Sequence, residues 1–179
     1  DGGVKKGQQE LINAAGQIND MLNPRYEEHI MKIAEKIKEV ESMYIIGRGA
    51  NYPMALEAAI KLQEVSYIHA EGFAGGELKH GPIALITENT PVIALVANDD
   101  SKKEIISNAT EIKARGGYII GVAPENDDIF DFWIRVPDTQ AVSPIVNIIP
   151  VQILAYQLAV LRKNDPDKPR NLAKSVTVK

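Results

Sequence analysis

Between Pro24 and Glu41 the residues Ile30, Ile33, Ile37 and Val40 recur every three or four positions, which lines one face of a helix with apolar side chains. This spacing predicts a helix over 25–41, entered through Asn23 as cap and Pro24 in the first turn. A looser pattern predicts another helix over 8–22. Met43–Ile46 is a short apolar run ending in Gly47-Arg48-Gly49, and about 52–66 reads as helix, giving a strand–turn–helix unit. Ser66–His69 reads as a short second strand. Pro91–Ala97 is apolar without a break, as expected of a strand covered on both faces of a parallel sheet. Ser101 and Glu104 have capping-box spacing. The helix they open carries Ile105, Ile106, Ala109 and Ile112 and stops at Gly116-Gly117. Strands over 118–123 and 132–136 follow, then a helix over about 144–162. Strands alternating with helices, without hairpin signals, predict a parallel sheet with helices on both sides. Residues 163–179 hold Pro166 and Pro169, lack a helical period and read as a disordered tail.

Size and charge narrow the picture. A chain of 179 residues fits one domain: leading helices over 1–41, an α/β core over 42–163 and a tail over 164–179. A net charge of -4 leaves no basic excess to neutralise phosphates, so no nucleic-acid partner is expected. With no cysteine, disulfides, thiolate metal sites and a cysteine nucleophile are excluded from this chain. No apolar run reads as long as the roughly 18 residues of a membrane span. The start, from Asp1 to Lys6, has neither an initiating Met nor the apolar centre of a signal peptide, so the chain reads as a cytoplasmic piece of something longer.

Chemistry concentrates in four stretches. The segment Met54–Ser66 is apolar almost all round except for Glu57, Lys61, Gln63 and Glu64. At about 100° per residue, positions 57, 61 and 64 share a stripe roughly 60° wide. That stripe is either a surface ion pair from Glu57 to Lys61 or the polar wall of a pocket, where a carboxylate beside a lysine can serve as a base. In Glu71–Pro82, glycines precede Glu77, and Gly81-Pro82 ends the turn holding Lys79 and His80. His80 is either an exposed loop residue or a proton-transfer group, since imidazoles ordinarily titrate near neutrality. His69 reads as core or as a group behind a site, and His29 as solvent-facing. Three scattered histidines make no metal site, and no cofactor is implied. Gly47-Arg48-Gly49 matches only the start of a dinucleotide fingerprint and reads as a tight turn. The last stretch, Pro169–Val178, reads as a frayed terminus unless it folds back over a pocket.

Taken together, Gly47-Arg48-Gly49, the helix with Glu57, Lys61 and Glu64, the run Ser66–Pro82 and the ending Pro169–Val178 closely resemble the glucosamine-6-phosphate synthase family, in the second of its two sugar isomerase (SIS) modules. The resemblance covers roughly residues 42–179. It implies a three-layer α/β/α fold with a five-stranded, flavodoxin-like parallel sheet. It also implies an activity, conversion of fructose 6-phosphate and ammonia into glucosamine 6-phosphate. Carried over by position, Lys174 resembles the lysine that forms an imine with the open-chain ketose. Glu64 resembles the carboxylate that moves a proton between C1 and C2. His80 resembles the ring-opening histidine, which in the family reaches the site from the partner subunit, so a homodimer is implied. Glu57, Lys61, Arg170 and Asn171 resemble groups that line the pocket or position the tail.

The same resemblance implies partners outside this chain. The family's glutaminase domain needs a cysteine that is absent here. Its phosphate is held mainly by a Ser/Thr-rich loop of the first SIS module, and no such cluster occurs in this chain. The fragment alone is therefore expected to bind substrate weakly. A sugar-phosphate sensor or a dimerisation module of the same fold is the competing reading, in which Lys174 and Glu64 would have no joint task.

Overall fold

The computed structural model describes residues 2–171. Helix α1 (Gly2–Met21) and helix α2 (Pro24–Ile37) lead the chain. Asn23 caps α2 by accepting from the Tyr26 amide at 3.1 Å, and the predicted stripe of Ile30, Ile33 and Ile37 is buried. Five strands and three helices follow: β1 (Ser42–Gly47), α3 (Asn51–Ser66), β2 (His69–Ala74), β3 (Pro91–Leu95), α4 (Lys102–Lys113), β4 (Tyr118–Ala123), β5 (Phe132–Arg135) and α5 (Ser143–Leu161). The strands form one parallel sheet in the order β2-β1-β3-β4-β5, the flavodoxin-like arrangement. One core, built from α2, α3 and α5 against the sheet, includes Ile33, Ile45, Leu62, Ile93, Val122 and Leu154. The other face carries Tyr44, Ile46, Val92, Ile105, Ile112 and Ile119. β1 and β3 are buried on both faces, which is why they read as unbroken apolar runs.

Four expectations are corrected. The second strand is His69–Ala74, not Ser66–His69. It lies at the sheet edge, and Gly72 is needed there because a Cβ would stand 2.5 Å from the Ala55 carbonyl oxygen of α3. The capping box does not form. The Ser101 hydroxyl donates to Asp99 at 2.6 Å, and Glu104 is taken by the Arg48 guanidinium at 2.6 Å, a charge-assisted bond that a neutral cap cannot match. Residues 162–171 are fastened to the body rather than loose. Arg162 donates to the Lys38 carbonyl at 2.6 Å, and Asn164 donates to the Val65 and Ser66 carbonyls at 3.3 and 3.2 Å. Finally, α5 is uncharged and apolar enough, over Gln140–Leu161, to cross a membrane by length and composition alone. In this fold it is a core helix, burying Val146, Val151, Leu154 and Leu158 against its neighbours.

Candidate active site

Small residues bring α3 close to the sheet: Ala55, Ala58 and Ala59 face inward with Leu62. With that side committed to packing, the remaining edge carries Glu57, Lys61 and Glu64. Lys61 Nζ stands 2.8 Å from Glu64 Oε2 and 3.7 Å from Glu57 Oε1, so one ammonium holds two carboxylates. The side chains of Lys61 and Glu64 are 33% and 32% exposed, half sunk rather than free in water. The pKa of Lys61 is raised, first by the hydrogen bond to Glu64, against partial burial that lowers it, and then by the charges of Glu64 and Glu57. Lys61 is thus an ammonium at neutral pH and serves as a counter-ion, not a base. A raised folded-state value means that this cluster stabilises the fold fully below the ordinary lysine value of 10.5 and stops doing so as pH climbs through the raised value.

A groove of about 510 Å³ runs along this edge, lined by Ile60, Lys61, Gln63, Glu64, Tyr67, Arg170 and Asn171. The structure therefore brings Arg170 and Asn171, a hundred residues away in sequence, to the same groove as Glu64. It does so through Tyr67, which sequence reasoning missed. Tyr67 closes α3 in the left-handed conformation, at φ 60° and ψ 21°, with its amide donating to the Gln63 carbonyl. The Arg170 guanidinium lies over its ring at 4.0 Å, and the Arg170 amide donates to its hydroxyl at 2.9 Å. Lys174 lies outside the described residues.

His80 is not in this groove. It closes a single 3-10 turn (Leu78–His80) just beyond the carboxyl end of β2 and is exposed. In a parallel sheet a crossover helix runs opposite to its strands, so the last turn of α3, with Glu64, lies toward the strands' amino edge. Leu78 of the His80 turn packs in the core on the other face. Within one chain, then, His80 and Glu64 occupy opposite edges and opposite faces of the sheet. The other two histidines differ from expectation. His29 is half-buried, stacked on Phe132 at 4.6 Å between centroids and 2.8 Å from the Trp133 carbonyl. His69 is exposed and pairs with Glu71 at 2.8 Å, because the edge strand turns it outward. At the carboxyl end of β1, Arg48 is occupied internally, by Glu104 and by Asn108 at 3.0 Å.

Residues 36–162 match the model of the SIS domain. The chain belongs to the SIS domain family. The isomerizing glutamine–fructose-6-phosphate aminotransferase of Pyrococcus horikoshii is 45% identical over 94% of this chain and 27% of its own length. The protein of the same name from Methanosarcina acetivorans is 46% identical over 98% of this chain and 29% of its own length. Among solved structures, the C-terminal domain of glucosamine-fructose-6-phosphate aminotransferase from Francisella tularensis superposes with a TM-score of 0.82 at 36% identity, covering 91% of this chain and 47% of that one. This SIS domain thus spans less than a third of the curated relatives it matches and about half of that solved domain.

Among the described residues, Lys61 is the cation bonded to Glu64. Replacing it, Lys61→Met, keeps an aliphatic stem of similar length and removes the charge. The melting temperature should stay within about 2 °C, because a part-exposed pair stabilises little. Thermal unfolding checks it.

Proposed function

We propose that this chain is the C-terminal isomerase module of a glutamine–fructose-6-phosphate aminotransferase and carries its proton-transfer and imine-forming residues. The observation that carries the proposal is the groove in which Glu64, counter-balanced by Lys61, faces Asn171, three residues before Lys174.

The Lys174 amine adds to the C2 carbonyl of open-chain fructose 6-phosphate and expels water, giving an imine. Ammonia displaces the lysine and leaves a C2 iminium on the sugar. The iminium is an electron sink that acidifies the C1–H bond. Glu64 takes the C1 proton, giving a C1-hydroxy enamine, and returns a proton to C2 while the C1 hydroxyl gives its own proton to water, leaving the aldehyde form of glucosamine 6-phosphate. His80 opens the sugar ring from a second copy of the chain, since its own protomer holds it across the sheet from Glu64. Ammonia and the grip on the phosphate come from glutaminase and first SIS modules of the full-length enzyme.

The test incubates the full-length enzyme with fructose 6-phosphate, reduces with borohydride and maps the adduct by mass spectrometry. A hexitol phosphate on Lys174 is expected. An unmodified Lys174, with the sugar bound, removes the lysine from the mechanism and leaves a sugar-phosphate sensor as the better reading.

A further inference from the structure

Arg48 leaves the carboxyl end of β1 half-buried, and its guanidinium makes two directed contacts to α4. Nε donates to Asn108 Oδ1 at 3.0 Å, and Nη1 donates to Glu104 Oε2 at 2.6 Å. The third nitrogen meets the turn that follows β2. A Cβ on Gly76 would stand 2.8 Å from Arg48 Nη2, so the backbone of that turn rests on the guanidinium and leaves no room for a side chain. A long side chain ordinarily swings aside from such a contact, but the two bonds to α4 hold this planar fork in place. The preceding Gly75 is buried, and its amide donates to the Gly47 carbonyl at 2.9 Å. A Cβ on Gly75 would stand 2.6 Å from Asn108 Oδ1, the very atom that accepts from Arg48. Arg48 and Asn108 thus form one floor under Gly75-Gly76.

Four residues after Gly76 comes His80. The Glu77 amide donates to the Ala74 carbonyl at 2.8 Å, the His80 amide donates to the Glu77 carbonyl at 3.0 Å, and Leu78 is buried. Beyond His80 the next buried residue is Ile86. The exposed imidazole is therefore placed from its amino-terminal side, by Leu78 and by the turn seated on Arg48. Stability alone does not call for a charge here, because the Glu104 side chain is 62% exposed and such a pair stabilises little. We infer that Arg48 is a positioning residue for His80: held by Glu104 and Asn108 of α4, it fixes the glycine turn from which the imidazole projects. The inference rests on the ring-opening role proposed above for His80.

A residue that places the ring-opening group is needed only for a substrate that has a ring. Fructose 6-phosphate closes through its C5 hydroxyl, so 5-deoxyfructose 6-phosphate stays open-chain and presents the same C1 and C2. In the full-length enzyme, Arg48→Gln is expected to lower kcat for fructose 6-phosphate by roughly tenfold, with KM held within about twofold. Turnover of the 5-deoxy sugar should stay within about twofold of wild type, and the melting temperature within about 3 °C. Arg48→Lys keeps the charge but not the fork, and it should lose about threefold on the ring-forming sugar. Gly76→Ala leaves every charge in place and drives the turn off the guanidinium, so it should show the same split between the two sugars. Should Arg48→Gln not fold, Gly76→Ala is held to the same criteria. An equal loss on both sugars overturns the inference, and so does unchanged turnover of fructose 6-phosphate. His80→Ala is the reference and should show the split in full. If it slows both sugars alike, the ring-opening reading fails instead, and hydrogen exchange over residues 74–81 then decides the placement. Exchange there should be roughly fivefold faster in Arg48→Gln than in wild type, and equal rates overturn the positioning role.

Discussion

Glu64→Gln in the full-length enzyme is expected to lower isomerisation of fructose 6-phosphate by roughly 10³-fold, with substrate affinity changed by less than about threefold, since a positioned general base contributes 10²–10⁴. The amide is isosteric with the carboxylate and can still bond to its neighbours, so the groove keeps its shape. What it cannot do is accept a proton from carbon. The fold should survive, because Glu64 belongs to the exposed edge of α3 and the buried side of that helix is Ala55, Ala58, Ala59 and Leu62. The chemical signature is sharper than the rate. In deuterated water the wild type should exchange the transferred hydrogen of the sugar with solvent, and Glu64→Gln should do so at a rate lower by the same factor. The borohydride adduct on Lys174 should persist in this variant, because imine formation precedes the proton transfer. Unchanged turnover or exchange removes Glu64 from the base role, and persistence of the adduct separates that failure from failure of the imine.

The lysine–carboxylate cluster was legible in the sequence because a helix has a fixed period. Once Met54–Ser66 is read as α3, positions 57, 61 and 64 must share an edge, and the surrounding alanines and leucines show which side is buried. What the linear pattern left open was whether that edge faces a pocket. The answer lies with Arg170 and Asn171, whose place depends on a ring stack and a hydroxyl contact a hundred residues away. β2 was misplaced for a related reason. Its residues His69–Ala74 include Gly72, kept small by the approach of α3, so the strand lacks the apolar run that marks β1 and β3. The lost capping box shows the limit of spacing rules. Ser101 and Glu104 stand at the right interval, but a cation on another loop outbids the local amide. His29 looked outward on its own helix and is covered by Phe132 from β5, a contact between elements far apart in sequence.

Mixing two inactive variants should restore activity. His80→Ala removes the imidazole proposed to open the ring, and Lys174→Arg removes the amine proposed to form the imine, because a guanidinium stays protonated and does not add to a carbonyl. If both groups served one site from one chain, a mixture of the two would contain no intact site. The fold argues otherwise. α3 is 16 residues long, about 24 Å, and Glu64 sits in its last turn, whereas His80 follows the carboxyl end of β2 at the far edge of the sheet. A side chain does not span that distance through a packed sheet, so the ring-opening role proposed for His80 requires a second copy of the chain. In a two-fold dimer the exchange is reciprocal. Random pairing of the two variants makes half of the dimers mixed, and each mixed dimer has one site with both groups and one with neither, so activity should return to about a quarter of the wild-type value. The assay is co-expression with two affinity tags, or unfolding and refolding of the mixture, followed by turnover of fructose 6-phosphate. Native mass spectrometry verifies that mixed dimers are present. Mixed dimers without recovered turnover would place His80 in the same protomer's chemistry or outside it altogether, and the reading of this module as half of a shared site would fail with it.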